Sequence, residues 1–229
     1  MMTSRKQRSN RIRAGVFLLL FVILGFWLWN RYWSQPRQAN VVVYADALER
    51  TRAHYGNEVE IFAAEFGLPS SYLLALIVLE SSGRRIIPPR FEPHVYERLK
   101  EVQQGKRSSY EHVTPAHLAD ATDDALKNLA SSWGPFQLMG YKCLLLGIRV
   151  RDIRGNDAIY WGIKWIDMTY GKELKEGNFK DAFHMHNTGR KYPRIGKPFT
   201  HDPAYVERGL KYMQSFENTQ RAPATAETR

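Results

Sequence analysis

Glu80 carries the strongest candidate chemistry in the sequence. It lies at the end of an apolar segment that reads as a helix, beside Leu76, Ile77 and Leu79. Burial among such side chains disfavours the ionised carboxylate, and the C-terminal end of a helix adds negative potential, so both effects raise the pKa of the carboxyl group. A carboxylic acid that stays protonated near pH 7 can donate a proton to a leaving glycosidic oxygen. From this segment alone, an ordinary surface glutamate at a helix end is the alternative.

Residues 131–140 form a second segment of interest, in which a turn leads into an apolar stretch. Gln137 is the one amide there, and in a cleft it could bind a sugar hydroxyl or acetamido group. Ser132 precedes it, and Met139 could pack beneath a sugar ring. The alternative is a loop that only caps and packs.

Residues 182–189 form a third segment, where Asn187 and Gly189 suit the end of a helix at which the backbone can approach a ligand closely. His184 and His186 are two positions apart, so on a helix they do not face each other and form a poor chelating pair. The sequence has no HExxH or other metal-binding spacing. We therefore expect no metal and no cofactor.

Together these segments resemble the motifs of the lysozyme-like superfamily that cleaves peptidoglycan, in particular the lytic transglycosylases and the bacterial or phage N-acetylmuramidases. Four motifs of the family have similar segments here, in the same chain order. The Glu-Ser motif is similar to Glu80-Ser81, and the Phe-Glu-x-His-Val motif to Phe91-Glu92-Pro93-His94-Val95. The Gly-Leu-Met-Gln-x-Met motif is similar to Gly134-Pro135-Phe136-Gln137-Leu138-Met139, and the Ala-Tyr-Asn-x-Gly motif to His186-Asn187-Thr188-Gly189. A helix with a central Gly162 also matches. The likeness covers about residues 68–213.

The resemblance implies an all-α fold of the goose-type lysozyme and lytic transglycosylase kind. Glu80 and Gln137 are 57 positions apart, more than in compact transglycosylases, so residues 88–130 are expected to form an inserted helical lobe. The implied substrate is the peptidoglycan glycan strand. The implied catalytic residues are Glu80 and Glu92, and the implied substrate-binding residues are Ser81, Ser132, Gln137, Met139, His186 and Asn187.

Three functions follow from the resemblance. A lytic transglycosylase needs only Glu80, which protonates the leaving oxygen and then accepts a proton from the C6 hydroxyl of the same muramic acid. A muramidase of the usual type needs a second carboxylate, for which Glu92 is the best candidate, although a salt bridge at the entry to a helix explains it equally well. A non-catalytic peptidoglycan-binding scaffold, serving a secretion, conjugation or phage-entry apparatus, is favoured by His186 at the family's Tyr position.

Charge is unevenly distributed along the chain. The formal charge is +10, and residues 1–37 hold seven basic and no acidic residues, which leaves +3 for the remainder. The remainder lacks a basic helix, so we expect no nucleic-acid partner. The single Cys143 excludes an intramolecular disulfide and a cysteine metal cluster.

The basic excess surrounds a predicted membrane anchor. Residues 14–29 are uncharged and mostly apolar, and Arg13 and Arg31 flank them. Arginines can snorkel and aromatic residues favour the interface, so a span over 14–33 is expected, with the N-terminus cytoplasmic. A cleaved signal peptide is the alternative, but no A-x-A site follows. The predicted organisation is a cytoplasmic segment 1–13, an inner-membrane anchor 14–33, a linker 34–40, a periplasmic domain 41–216 and a disordered tail 217–229.

The elements that must position these residues read as successive helices, and no strand with a partner is evident. Glycine, proline and hydroxyl residues mark most of the boundaries. The predicted helices are 41–66, 70–80, 93–105, 114–130, 138–146, 157–170, 179–186 and 203–216.

Overall fold

The computed structural model describes residues 45–221, with side chains to residue 219, and this part of the chain is mostly helical. Nine helices and three short strands occur within it. In chain order they are α1 Ala47–Phe66, α2 Ser70–Ser81, β1 Arg90–Phe91, α3 Pro93–Gln103, α4 Pro115–Leu118, α5 Asp123–Leu129, β2 Ser131–Trp133, β3 Leu138–Met139, α6 Lys142–Leu146, α7 Ala158–Lys175, α8 Phe179–Thr188 and α9 Tyr205–Arg221.

Helix α1 begins and ends with sequence signals that could be recognised in advance. Asp46 caps its start, because the side chain accepts a hydrogen bond of 2.8 Å from the backbone N–H of Glu49. Gly67 ends it in the left-handed conformation at φ +64°, as the sequence predicted.

Helix α2 is the central helix of the larger core. Seven consecutive residues, 72–78, are each no more than 5% exposed. The helix is therefore surrounded on all sides, which its uniformly apolar sequence allows. Helices α1, α7, α8 and α9 supply the surrounding side chains, chiefly Tyr55, Val59, Ile163, Tyr170, Phe183, Tyr205 and Phe216. Glu80, the only charged residue of α2, follows this buried stretch at the C-terminal end of the helix.

A second core lies under α3, α4 and α5, in the segment where the inserted lobe was expected. Val95 and Leu99 of α3 pack with Leu118 of α4 and Leu126 of α5. The helix predicted over 114–130 is wrong in one respect, because it is divided into α4 and α5. Thr122 begins the second of these, and its hydroxyl accepts from the N–H of Ala125.

The described residues are mostly helical, as expected, but they also form a small antiparallel sheet with the strand order β1-β2-β3, which an all-α prediction did not include. Arg90 pairs with Ser132, and Ser132 pairs with Met139. The predicted helix over 138–146 accordingly begins only at Lys142. Strands of two or three residues are too short for a period-two pattern, so they could not be predicted from the sequence.

The predictions for the two ends of the chain have different outcomes. Helix α9 continues to Arg221, so residues 217–221 of the expected disordered tail are helical. The cytoplasmic segment, the anchor 14–33, the linker 34–40 and residues 222–229 lie outside the described residues. Within residues 45–221, no helix has the length and apolar character that crossing a membrane requires.

Candidate active site

Glu80 occupies the last turn of α2, and helix α1 fixes the segment that follows it. Helix α2 ends at Ser81, and Ser82 takes a left-handed conformation at φ +53°. Gly83 comes so close to α1 that an added Cβ would meet Thr51 Oγ1 at 2.2 Å, so only glycine fits there. Three side chains of α1 form hydrogen bonds with consecutive carbonyl oxygens of the segment that follows α2. Arg50 donates to Ser82 at 2.8 Å, His54 Nδ1 lies 2.7 Å from the oxygen of Gly83, and Tyr55 donates to Arg84 at 2.5 Å.

The carboxyl group of Glu80 has a raised pKa, so that about half of it is protonated at neutral pH. Its side chain is 17% exposed, and burial raises its pKa to about 7. A hydrogen bond from Tyr205 and the positive charges of Lys142 and Arg90 act in the opposite direction, in that order of strength. Burial outweighs them, as the apolar sequence of α2 predicted.

Tyr205 is a site residue that the sequence did not reveal. Its hydroxyl donates to Glu80 Oε1 from the first turn of α9, 125 positions further along the chain. The residue is 6% exposed, and burial together with the neighbouring Glu80 raises its pKa well above the ordinary value. Tyr205 therefore remains a donor at every pH at which Glu80 titrates.

His186 lies beside Glu80 but is enclosed by protein. Its side chain is 8% exposed, and Nε2 lies 3.8 Å from Glu80 Oε1. Nδ1 is 2.7 Å from the Tyr170 hydroxyl, and Nε2 is 3.2 Å from the carbonyl oxygen of Phe136. A carbonyl oxygen can only accept, so we assign the proton to Nε2, and Tyr170 then donates to Nδ1. Both nitrogens are thus engaged within the protein, which leaves the ring no nitrogen for the expected hydrogen bond to a sugar.

Lys142 is a second residue that the sequence did not single out. It is the first residue of α6, and its Nζ lies 5.0 Å from the centre of the Trp165 ring. Burial lowers its pKa to about 8, against the charges of Glu111 and Glu80. A cation in this position stabilises a carboxylate on Glu80 whenever one forms.

Gln137 projects from a strained turn between β2 and β3. Its φ of +48° is unusual for a residue with a side chain. The Ser132 hydroxyl donates to Gln137 Oε1 at 2.7 Å, and Gln137 Nε2 donates to the Gly134 carbonyl at 3.1 Å. These bonds orient the amide and leave one N–H and one lone pair for a ligand.

Glu92, the expected second carboxylate, forms an ion pair with Arg90 and lies near His94. It precedes α3 and its side chain is 21% exposed; Oε1 lies 2.9 Å from Arg90 Nε and Oε2 lies 3.7 Å from His94 Nδ1. The structure therefore matches the salt-bridge interpretation of this residue.

The remaining predicted site residues are divided between the interior and the surface. Ser81 is buried, and its hydroxyl donates to the Ile77 carbonyl of its own helix at 3.0 Å. Met139 is partly buried against the second core. Asn187 is exposed at the end of α8. Across residues 45–221, no three His, Cys, Asp or Glu side chains are grouped so that they could hold a metal ion.

Comparisons with known proteins add little to this geometry. No family model and no curated protein matches the chain. Among solved structures, the endolysin of the Burkholderia phage AP3 is similar, with a TM-score of 0.46 and 19% sequence identity over 85% of this chain and 77% of that one. A similarity of this size does not assign an activity to the chain.

Proposed function

We propose that this chain has a lysozyme-like fold and is a peptidoglycan lytic transglycosylase, which cleaves the β-1,4 bond between N-acetylmuramic acid and N-acetylglucosamine. One observation carries the proposal: Glu80 is a carboxylic acid with a pKa of about 7 at the end of a buried helix, and His186 links it to the turn that carries Gln137. A group that is half protonated at neutral pH can act as an acid and then as a base in one catalytic cycle.

Glu80 acts twice in the proposed reaction. It first donates its proton to the glycosidic oxygen, so that the bond from that oxygen to C1 of muramic acid breaks. The resulting carboxylate then takes the proton of the C6 hydroxyl, whose oxygen forms the new bond to C1 and gives a 1,6-anhydro end. No water is consumed, and Glu80 is protonated again. The charges of Lys142 and Arg90, which lower the pKa of Glu80, stabilise the intermediate carboxylate.

The state of Glu92 favours transglycosylation over hydrolysis. A muramidase that uses two carboxylates needs the second one free to act as a nucleophile or to activate water. In Glu92 both carboxyl oxygens are within 4 Å of a basic side chain, Arg90 or His94. A mechanism with a single carboxyl group does not require Glu92.

Mass spectrometry of the fragments released from purified peptidoglycan tests the proposal. We expect muropeptides that are lighter than hydrolytic products by one water, from the full-length protein in mild detergent, and none from Glu80→Gln. Hydrolytic products would instead establish a muramidase, and Glu92→Gln would then be the variant that abolishes them. Binding to insoluble peptidoglycan without release of fragments would establish the non-catalytic scaffold and refute both enzymatic functions.

We also propose that residues 14–33 anchor the protein in the inner membrane, with the helical domain on the periplasmic side. The support is the +7 charge of residues 1–37 around an apolar stretch. Protease added to spheroplasts should remove the domain while leaving a short membrane-bound fragment. A domain that is protected in spheroplasts and degraded only after lysis would refute this topology.

A further inference from the structure

His186 connects three parts of the site through one ring. The imidazole belongs to α8, its Nδ1 accepts from Tyr170 of α7, and its Nε2 donates to the carbonyl of Phe136, the residue before Gln137. Both hydrogen bonds are partly buried and the side chain is 8% exposed, so together they fix the orientation of the ring next to Glu80. The ring therefore couples the position of the Gln137 turn to the acid.

Tyr170 and Phe136, the two hydrogen-bond partners of the His186 ring, are both positioned by α7. The Cβ that a side chain at Gly162 would carry lies 2.2 Å from Phe136 Cδ2, so the Phe136 ring packs directly on the bare backbone of α7. Tyr170 has non-helical backbone angles within α7, φ −144° and ψ 19°. The donor and the acceptor for His186 thus come from one helix and from the turn seated on it.

The charge state of this ring matters because of what faces it. The charged or titratable groups around it are Glu80 of α2, Tyr170 of α7, Lys142 of α6 and Tyr205 of α9, which binds the same oxygen of Glu80. An imidazolium 3.8 Å from Glu80 Oε1 would favour the carboxylate and so remove the proton that the acid must donate. Burial and the Lys142 charge oppose this, and they lower the pKa of His186 to about 3.

We propose that His186 is a positioning residue for Glu80: a neutral imidazole, locked in its Nε2–H form by the Phe136 carbonyl, that ties the Phe136–Gln137 turn to the surroundings of the acid without placing a charge beside it. The inference rests on the proposed role of Glu80 as the acid. It differs from a sugar-binding role, because both nitrogens are used within the protein.

Proton–nitrogen correlation spectra of isotope-labelled full-length protein test the locked state without any reference to activity. The signals of His186 are identified by their loss in His186→Gln. We expect the Nε2–H pattern, unchanged from about pH 5 to about pH 9. An Nδ1–H pattern, or a ring that becomes cationic within this range, would overturn the proposal even if the chain proves to be an active transglycosylase.

Kinetics of two matched variants test the positioning. His186→Gln keeps a neutral donor and acceptor, whereas His186→Phe removes both. We expect the Phe variant to lose about 100-fold in kcat, the scale of a small misplacement of catalytic groups, and the Gln variant to recover most of that loss. Circular dichroism checks that both variants fold.

The pH profile separates positioning from proton transfer. His186→Gln should keep the alkaline limb of the wild-type profile near pH 7, where Glu80 titrates. If that variant loses a limb of the profile, or if His186→Phe is as active as the wild type, His186 is not a neutral positioning residue. If no variant and no wild-type protein releases fragments, the proposed function fails, and the spectra alone decide the state of His186.

Discussion

Glu80→Gln should stabilise the folded protein at alkaline pH, because the buried acid is a source of instability. The pKa of Glu80 is about 7 in the folded chain, against an ordinary value of 4.5. Between these values the folded chain retains a proton that the unfolded chain has released. The free energy of unfolding is therefore intact below about pH 4.5 and falls as the pH rises through 7. Glutamine does not titrate, so the variant avoids this loss.

The size of the effect follows from the raised pKa. Each pH unit between the folded and unfolded pKa values corresponds to about 1.4 kcal/mol. The stability gained by Glu80→Gln should therefore be about 3 kcal/mol larger at pH 8 than at pH 4. In a domain of this size that difference corresponds to a relative rise in Tm of about 10 °C. Comparing the two pH values cancels effects of the amide itself, which can still accept from Tyr205.

Urea unfolding followed by circular dichroism at both pH values measures this difference. Glu101→Gln is the matched control, because Arg107 lowers the pKa of that exposed carboxyl group and the pH dependence of its variant should have the opposite sign. A difference below about 1 kcal/mol for Glu80→Gln would mean that Glu80 ionises like an ordinary glutamate. The claim that the pKa of Glu80 is raised to about 7 would then be refuted.

Three further variants test other contacts. Lys142→Met removes a charge that lowers the pKa of Glu80, so the alkaline limb of the pH–activity profile should move to higher pH. Lys142→Arg keeps the charge and should leave the limb where it is. Identical profiles for the two variants would contradict the role of the Lys142 charge. Tyr205→Phe removes the hydrogen bond to Glu80 and should move the same limb upwards; a downward shift would show that Tyr205 does not stabilise the carboxylate. Gly162→Ala should lower the free energy of unfolding, measured in urea, by about 1–3 kcal/mol, because the added Cβ clashes with Phe136. Gly56→Ala is the control and should not destabilise the protein, since its Cβ meets only Arg52 Cγ at 3.5 Å. Equal free energies of unfolding for the two variants would show that Gly162 does not need to be glycine.

The raised pKa of Glu80 could be predicted from sequence because its environment is local. The residues that bury Glu80 include its own neighbours on α2, and a continuous apolar stretch before a glycine is visible in the chain. Tyr205 and Lys142 could not be predicted in the same way. They are 125 and 62 positions from Glu80 in the sequence and belong to α9, which packs on α2, and to α6, which follows β3.

The role of His186 shows a similar limit. The motif placed the residue at the site, and the structure brings it within 3.8 Å of Glu80. The sequence could not show that Tyr170 and the Phe136 carbonyl take up both nitrogens, because these partners are set by the kink in α7 and by the turn packed on Gly162. The strands could not be predicted for a different reason: each has only two or three residues, too few for an alternating pattern to be visible.

Digestion of peptidoglycan in water enriched in heavy oxygen tests the central claim most directly. Attack by the C6 hydroxyl consumes no water, so we predict anhydromuramic ends that contain no heavy oxygen and that Glu80→Gln fails to produce. Incorporation of one heavy oxygen at each new reducing end would show hydrolysis and would contradict the proposed single-carboxyl mechanism.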